Sequence, residues 1–129
     1  NKIWDLNIKS TLPPVISGNT IFVVNKDNFL LLINKNDGLI KYAKNINSLI
    51  TKEFKKNLKR KINKIEYIYL IDGKLLLISK NSYFIEINIQ NNININSIKK
   101  NPFEIFSDII FLNKEMIFIN KSNRIYRVN

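Results

Sequence analysis

Apolar residues along this chain come in short runs, each stopped by Gly, Asn, Asp or Ser. Residues 15–42, VISGNTIFVVNKDNFLLLINKNDGLIKY, show the pattern in full. Three apolar runs (Val15-Ile16, IFVV at 21–24 and FLLLI at 29–33) alternate with three turn signals, Ser17-Gly18-Asn19, Lys26-Asp27-Asn28 and Asn36-Asp37-Gly38. Runs this short, punctuated this way, predict strand–turn–strand structure rather than helix. Gly and Asn recur at the turns because they tolerate positive φ best.

The phrase returns twice. A second copy starts at Tyr69, YLIDGKLLLISKNSYFIEINIQNNININ, and a third, IIFLNKEMIFINKSNRIYRVN, closes the chain. Each copy carries (Val/Ile)-(Asn/Ser)-Lys before a turn, at Lys26, Lys80 and Lys121. The separations are 80 − 26 = 54 and 121 − 80 = 41 residues, and a unit of about 40 residues with four short strands is the size of a propeller blade. Several runs are continuously apolar, including 21–24, 29–33, 75–78 and 109–112. A sheet with one wet face would alternate, so continuous runs predict cover on both faces. With little helix available, sheets must cover sheets. The predicted fold is all-β: a partial β-propeller of about three four-stranded antiparallel blades, with one short helix in an insertion. Residues 1–12 are expected to be the outer strand of a preceding or neighbouring blade, because NKIWDLNIK at 1–9 has spaced apolar positions before Pro13-Pro14 breaks the run. Blade 1 spans 13–46, the insertion 47–64, blade 2 65–100 and an incomplete blade 3 101–129.

The insertion, NSLITKEFKKNLKRKINK, differs in kind. Ile50, Phe54 and Leu58 fall at i, i+4, i+8 with Ser48 as N-cap, which predicts a short amphipathic helix. Lys52, Lys55, Lys56, Lys59, Arg60 and Lys61 occupy its other faces and form a candidate basic contact surface. The same residues also suit a solvated helix with no ligand. Nucleic-acid readers usually set exposed aromatics beside such groups, and Phe54 fits the core better.

With 129 residues, the chain suffices for one domain, and 45% hydrophobic content weighs against disorder. Lys+Arg 21 against Asp+Glu 10 gives +11, which suits an anionic partner. It equally suits compositional drift, since Ile, Asn and Lys have A/T-rich codons. There is no Cys and no His, so disulfides, thiolate chemistry and the commonest general base and metal ligand are excluded. The carboxylates are scattered among turns, and Asp27-Asn28 offers too few oxygens for a calcium cage. No catalytic, cofactor or metal site is expected. Tyr67, Tyr69, Tyr83 and Tyr126 fit strand packing. No transmembrane run is present, and the opening at Asn1 without Met suggests a piece of something longer.

Aligned on its turns, residues 15–42 resemble the repeat of pyrroloquinoline-quinone-type (PQQ-like) propellers. In that repeat the third strand ends at Leu-Asp, a Thr-Gly turn follows, and a Trp sits on the outer strand; here Leu32-Ile33-Asn34, Asp37-Gly38 and Tyr42 stand there. Trp4 falls where the Trp of a preceding blade would be, and Asn123-Arg124-Ile125-Tyr126-Arg127-Val128 looks like the terminal strand of BamB-like outer-membrane assembly scaffold lipoproteins. The resemblance implies blade-docking roles for Trp4 and Tyr42 and a non-catalytic protein-binding scaffold at the periplasmic face of a Gram-negative outer membrane. Quinoprotein dehydrogenases of the same family need a vicinal Cys pair, which this chain lacks. A nucleic-acid or anionic-membrane binding module is one alternative, and a fragment of a quinoprotein dehydrogenase-like propeller without its active site is the second. Three blades leave open edges, so self-association is expected, with residues 3–8 completing the last blade of a second copy.

Overall fold

The computed structural model describes residues 1–54 and 62–128, the side chains of 51–53 excepted. Its strands form three antiparallel meanders. Strands β1 (Val15–Ser17), β2 (Thr20–Val24), β3 (Phe29–Asn34) and β4 (Ile40–Asn45) make the first sheet, in chain order. The second holds β5 (Ile65–Ile71), β6 (Lys74–Ser79), β7 (Tyr83–Asn88) and β8 (Asn94–Lys100), and the third β9 (Ile110–Leu112), β10 (Glu115–Ile119) and β11 (Ile125–Val128).

The repeated Lys phrase occupies the same place in each sheet, the turn between its second and third strands. There the residue before Lys caps the turn. Asn25 Oδ1 accepts the backbone N–H groups of Asp27 and Phe29, both at 3.0 Å. Asn120 Oδ1 accepts those of Ser122 and Arg124, also at 3.0 Å. In the second sheet Ser79 Oγ accepts Tyr83 N–H at 3.0 Å. Two residues after each Lys the backbone crosses into the left-handed region, with φ 60° at Asn28, 63° at Ser82 and 60° at Asn123. The phrase recurs because one short polar side chain satisfies donors that the turn leaves unpaired.

The sheets stack face to face. Phe22, Val24 and Leu30 of the first sheet meet Leu75, Leu77, Ile85 and Ile87 of the second in one core. Across the second sheet, Ile78, Leu76 and Phe84 meet Phe111, Met116, Phe118 and Tyr126 of the third in another. Alternation along β2 and β3 explains the continuous apolar runs: Val24 and Leu30 face the second sheet, while Val23, Leu31 and Ile33 face the other way.

Three features depart from the sequence reading. Residues 1–14 form no strand. Backbone bonds two residues apart, Ile8 N–H to Leu6 and Ser10 N–H to Ile8, curl the segment, so its apolar spacing grips a sheet face instead of pairing. Trp4 and Ile8 lie on Val23, Leu31 and Ile33 of the same chain, and Lys26 N–H donates to Lys9 carbonyl at 2.7 Å. In this chain the segment packs on its own first sheet and does not pair as a strand.

The helix α1 (Ile46–Glu53) also begins earlier than expected, and its cap is Asn45, not Ser48. Asn45 Oδ1 accepts Asn47 N–H at 2.8 Å, supplying an acceptor where the first turn has none. Ile46, Leu49 and Ile50 are buried in the core between the first two sheets, with Phe54 packed against it. Phe54 is extended and ends the helix, so the stripe reaching Leu58 does not extend through described helix.

Finally, the run 109–112 is covered on one face only. Ile109 and Phe111 face the second sheet, whereas Ile110 and Leu112 are exposed.

Candidate interaction surfaces

The basic patch is only partly within view. Lys52 lies on α1 without a described side chain, and Lys55, Lys56, Lys59, Arg60 and Lys61 lie outside the described residues. These six and Lys64 against Glu53 put +6 of the chain's +11 into residues 47–64. Just over half of the net charge is thus concentrated in the insertion.

Trp4 is anchored to the first sheet. Its indole N–H donates to Lys35 carbonyl at 2.9 Å, and its ring lies over Gly38, where an added Cβ would sit 2.7 Å from Cδ2. The turn beneath is set by Asp37, whose Oδ1 accepts Leu39 N–H at 2.9 Å. Tyr42 stands apart from Trp4, on β4 beside Leu32. Its hydroxyl is buried with no hydrogen-bond partner among the described residues, and burial pushes its pKa up. The structure thus gives the two aromatics separate places, Trp4 on the outer face and Tyr42 in the outermost strand.

A feature with no local sequence signal is a cleft of about 680 Å³ between the second and third sheets. Its floor is apolar, with Leu76, Phe84, Phe111 and Met116, and Lys74, Lys99 and Lys114 stand around it. Glu86 lines it too. Burial raises the Glu86 pKa, but Lys74 at 3.1 Å, Asn96 at 3.1 Å and Ser97 at 3.2 Å outweigh this and hold it below the ordinary carboxylate value.

Below the cleft an aromatic seam joins the two sheets. Tyr69 stacks on Tyr67 at 6.2 Å and meets Phe111 edge-on at 5.0 Å. Phe103 stacks on Tyr126 at 4.1 Å. The Tyr69 hydroxyl accepts Ile109 N–H at 3.1 Å, pinning one sheet to the next. Burial raises the Tyr69 pKa, Ile109 N–H lowers it, and Asp108 raises it again. These rings are partly buried and packed on one another across the seam between the second and third sheets.

A scan against protein-family models and a search of curated proteins return no match. What the surface can do must follow from its own geometry. Among the described residues no group of three or more carboxylates could hold a metal ion, and no helix is long and apolar enough to cross a membrane. The positive features are the cleft between the second and third sheets, the Ile125–Val128 edge of β11 and the open face of the third sheet. The open edge follows from the incomplete third copy in the sequence, whereas the cleft has no local signal because it depends on how two sheets meet.

Proposed function

We propose that the chain is a non-catalytic scaffold for protein–protein interaction, built of three propeller-type blades. The observation that supports this reading is the edge of β11. In the first and second sheets the third strand pairs with a fourth, β3 with β4 and β7 with β8. In the third sheet the equivalent strand, β11 (Ile125–Val128), pairs among the described residues with β10 alone. Its outer N–H and C=O groups form a ready template for an added strand. The partner class that fits is an extended polypeptide with alternating apolar and polar residues. By the resemblance to BamB-like scaffolds, such a partner is an unfolded outer-membrane β-strand met on the periplasmic side. Titration with a peptide of that alternating pattern tests the reading. Micromolar affinity with slowed amide exchange confined to Ile125–Val128 supports it, and exchange at β11 unaffected by saturating peptide sinks it.

A second reading is supported by the +6 carried on residues 47–64: a basic module that binds nucleic acid or an anionic membrane. It requires affinity that falls steeply with salt, with a log–log slope on a single strand on the order of −4 if six charges meet phosphates. A single-stranded oligonucleotide and vesicles containing phosphatidylserine serve as probes. A flat salt response removes this reading and leaves the first intact.

A further inference from the structure

The contacts that join the sheets repeat with a fixed set of positions. Strand pairing aligns Val15 with Tyr69 and Ile110, because their partners Phe22, Leu76 and Ile117 are equivalent residues of the second strands. Val24, Ile78 and Ile119 end those strands, just before each Lys phrase. Leu30, Phe84 and Ile125 follow the turns by the same interval. In the first sheet this set faces the second, and in the second sheet it faces the third. In the third sheet the set faces solvent.

Exposure confirms the difference. Leu30 is 0% and Val24 1% exposed, whereas Ile125 is 74% and Ile110 64% exposed. Leu112 and Ile119 are exposed beside them, and Phe106 adds its ring nearby, its N–H bonded to Ile119 carbonyl at 2.9 Å. Five or six large apolar side chains make a patch on the order of 500 Å², the size that marks an interaction site on a soluble surface. Two such faces together reach about 1,000 Å², the lower bound for a specific interface.

We propose that two copies of this chain associate through this face, third sheet against third sheet, about a twofold axis. Three observations select a second copy in this arrangement. The corresponding positions of the first and second sheets are each covered by the apolar face of a neighbouring sheet. A sheet face is thus the cover this set takes within the chain, and twofold pairing supplies one from a second copy. Its charges nearly cancel: residues 101–129 carry Lys114, Lys121, Arg124 and Arg127 against Glu104, Asp108 and Glu115, only +1 of the +11, and Lys121 pairs with Glu104. Arg127 and Glu115 are bonded to each other twice, at 2.5 and 2.9 Å. The small net charge of this segment adds little repulsion between two copies of it. The remaining surface of that kind, the outer face of the first sheet, is closed by Trp4 and Ile8. A head-to-tail array would have to strip that segment away, whereas twofold pairing uses two faces that are already open and closes at two copies.

Sedimentation equilibrium at micromolar concentration tests the proposal. The expected mass is twice the 15.2 kDa of one chain. Ile125→Lys and Ile110→Lys are expected to weaken association at least 100-fold and leave far-ultraviolet circular dichroism unchanged. Ile16→Lys, a change at an exposed apolar site on β1, leaves it intact. If lysine disturbs the sheet, Ile125→Ser and Ile110→Ser give the same readout. A single-chain mass for the unaltered protein overturns the proposal, as does association that survives both third-sheet substitutions. Growth beyond two copies with a shift in Trp4 emission overturns it in favour of head-to-tail stacking.

Discussion

Gly38 carries two constraints at once. Its φ of +75° belongs to the left-handed region, and an added Cβ would press on the Trp4 ring at 2.7 Å. Gly18 separates these effects, having φ +58° with nothing within 4 Å. Gly18→Ala should therefore cost only the dihedral strain, about 1 kcal/mol. Gly38→Ala should cost that and also lift the ring, adding on the order of 1 kcal/mol. Chemical denaturation reads the difference, and a red shift of tryptophan emission in Gly38→Ala alone identifies its source. Equal cost without a shift would mean that the Trp4 contact contributes nothing. Lys114 presents the reverse case, a lysine held at φ +67° after Asn113 at +51°. Both central residues of this hairpin turn are left-handed, a geometry for which Asn-Gly is preferred. Lys114→Gly should raise stability by about 0.5–1 kcal/mol, measured by the same denaturation.

Among elements, strands were the most legible, because a run of two to five apolar residues between turn formers has few other ways to bury itself. The Lys phrases proved readable for a reason of chemistry: Asn25, Ser79 and Asn120 each bond the backbone of their own turn. The helix start was misplaced because Asn45 sits at the end of a strand, and nothing local distinguishes strand end from cap. Residues 1–9 have strand-like apolar spacing, but pairing requires a neighbouring edge. The Tyr69–Ile109 bond spans 40 residues, so no window of sequence could contain it. Glu86 shows what such cross-strand assembly does to titration. It receives Lys74 from β6 and Asn96 and Ser97 from β8. Since the folded-state pKa is depressed, the stabilisation is present above the ordinary carboxylate value and is lost as pH falls through the folded value. Glu86→Gln should lower stability at neutral pH by up to about 1 kcal/mol, the range of a partly exposed ion pair. It should also flatten the acid limb of the stability–pH curve. A variant whose acid limb matches that of the unaltered chain would show that other carboxylates dominate.

At the scale of the whole molecule, two distributions are out of register. Apolar cover is tightest at the stacked first and second sheets and weakest at the far face of the third. Charge is densest in residues 47–64 and nearly balanced in 101–129. Each of the four ion pairs among the described residues has at least one exposed partner, so together they stabilise little against the repulsion of a net +11. Self-repulsion is therefore the larger electrostatic effect in the folded state, where like charges are brought closer than in the extended chain. Raising salt from about 20 to about 300 mM shortens the screening length from roughly 20 to roughly 6 Å. Folding stability should rise with it, by on the order of 1 kcal/mol. Replacing Lys52, Lys55, Lys56, Lys59, Arg60 and Lys61 by Gln takes the charge from +11 to 11 − 6 = +5. That variant should start more stable at low salt and gain less from added salt. The comparison also separates the two demands on the insertion. A variant that keeps full stability but loses oligonucleotide or vesicle binding would give these six residues to a ligand. One that gains stability and binds its strand peptide as before would make them a solvated face, carried at a cost in repulsion. If salt instead destabilises the unaltered chain, the ion pairs outweigh the net charge, and the ranking of effects used here is reversed.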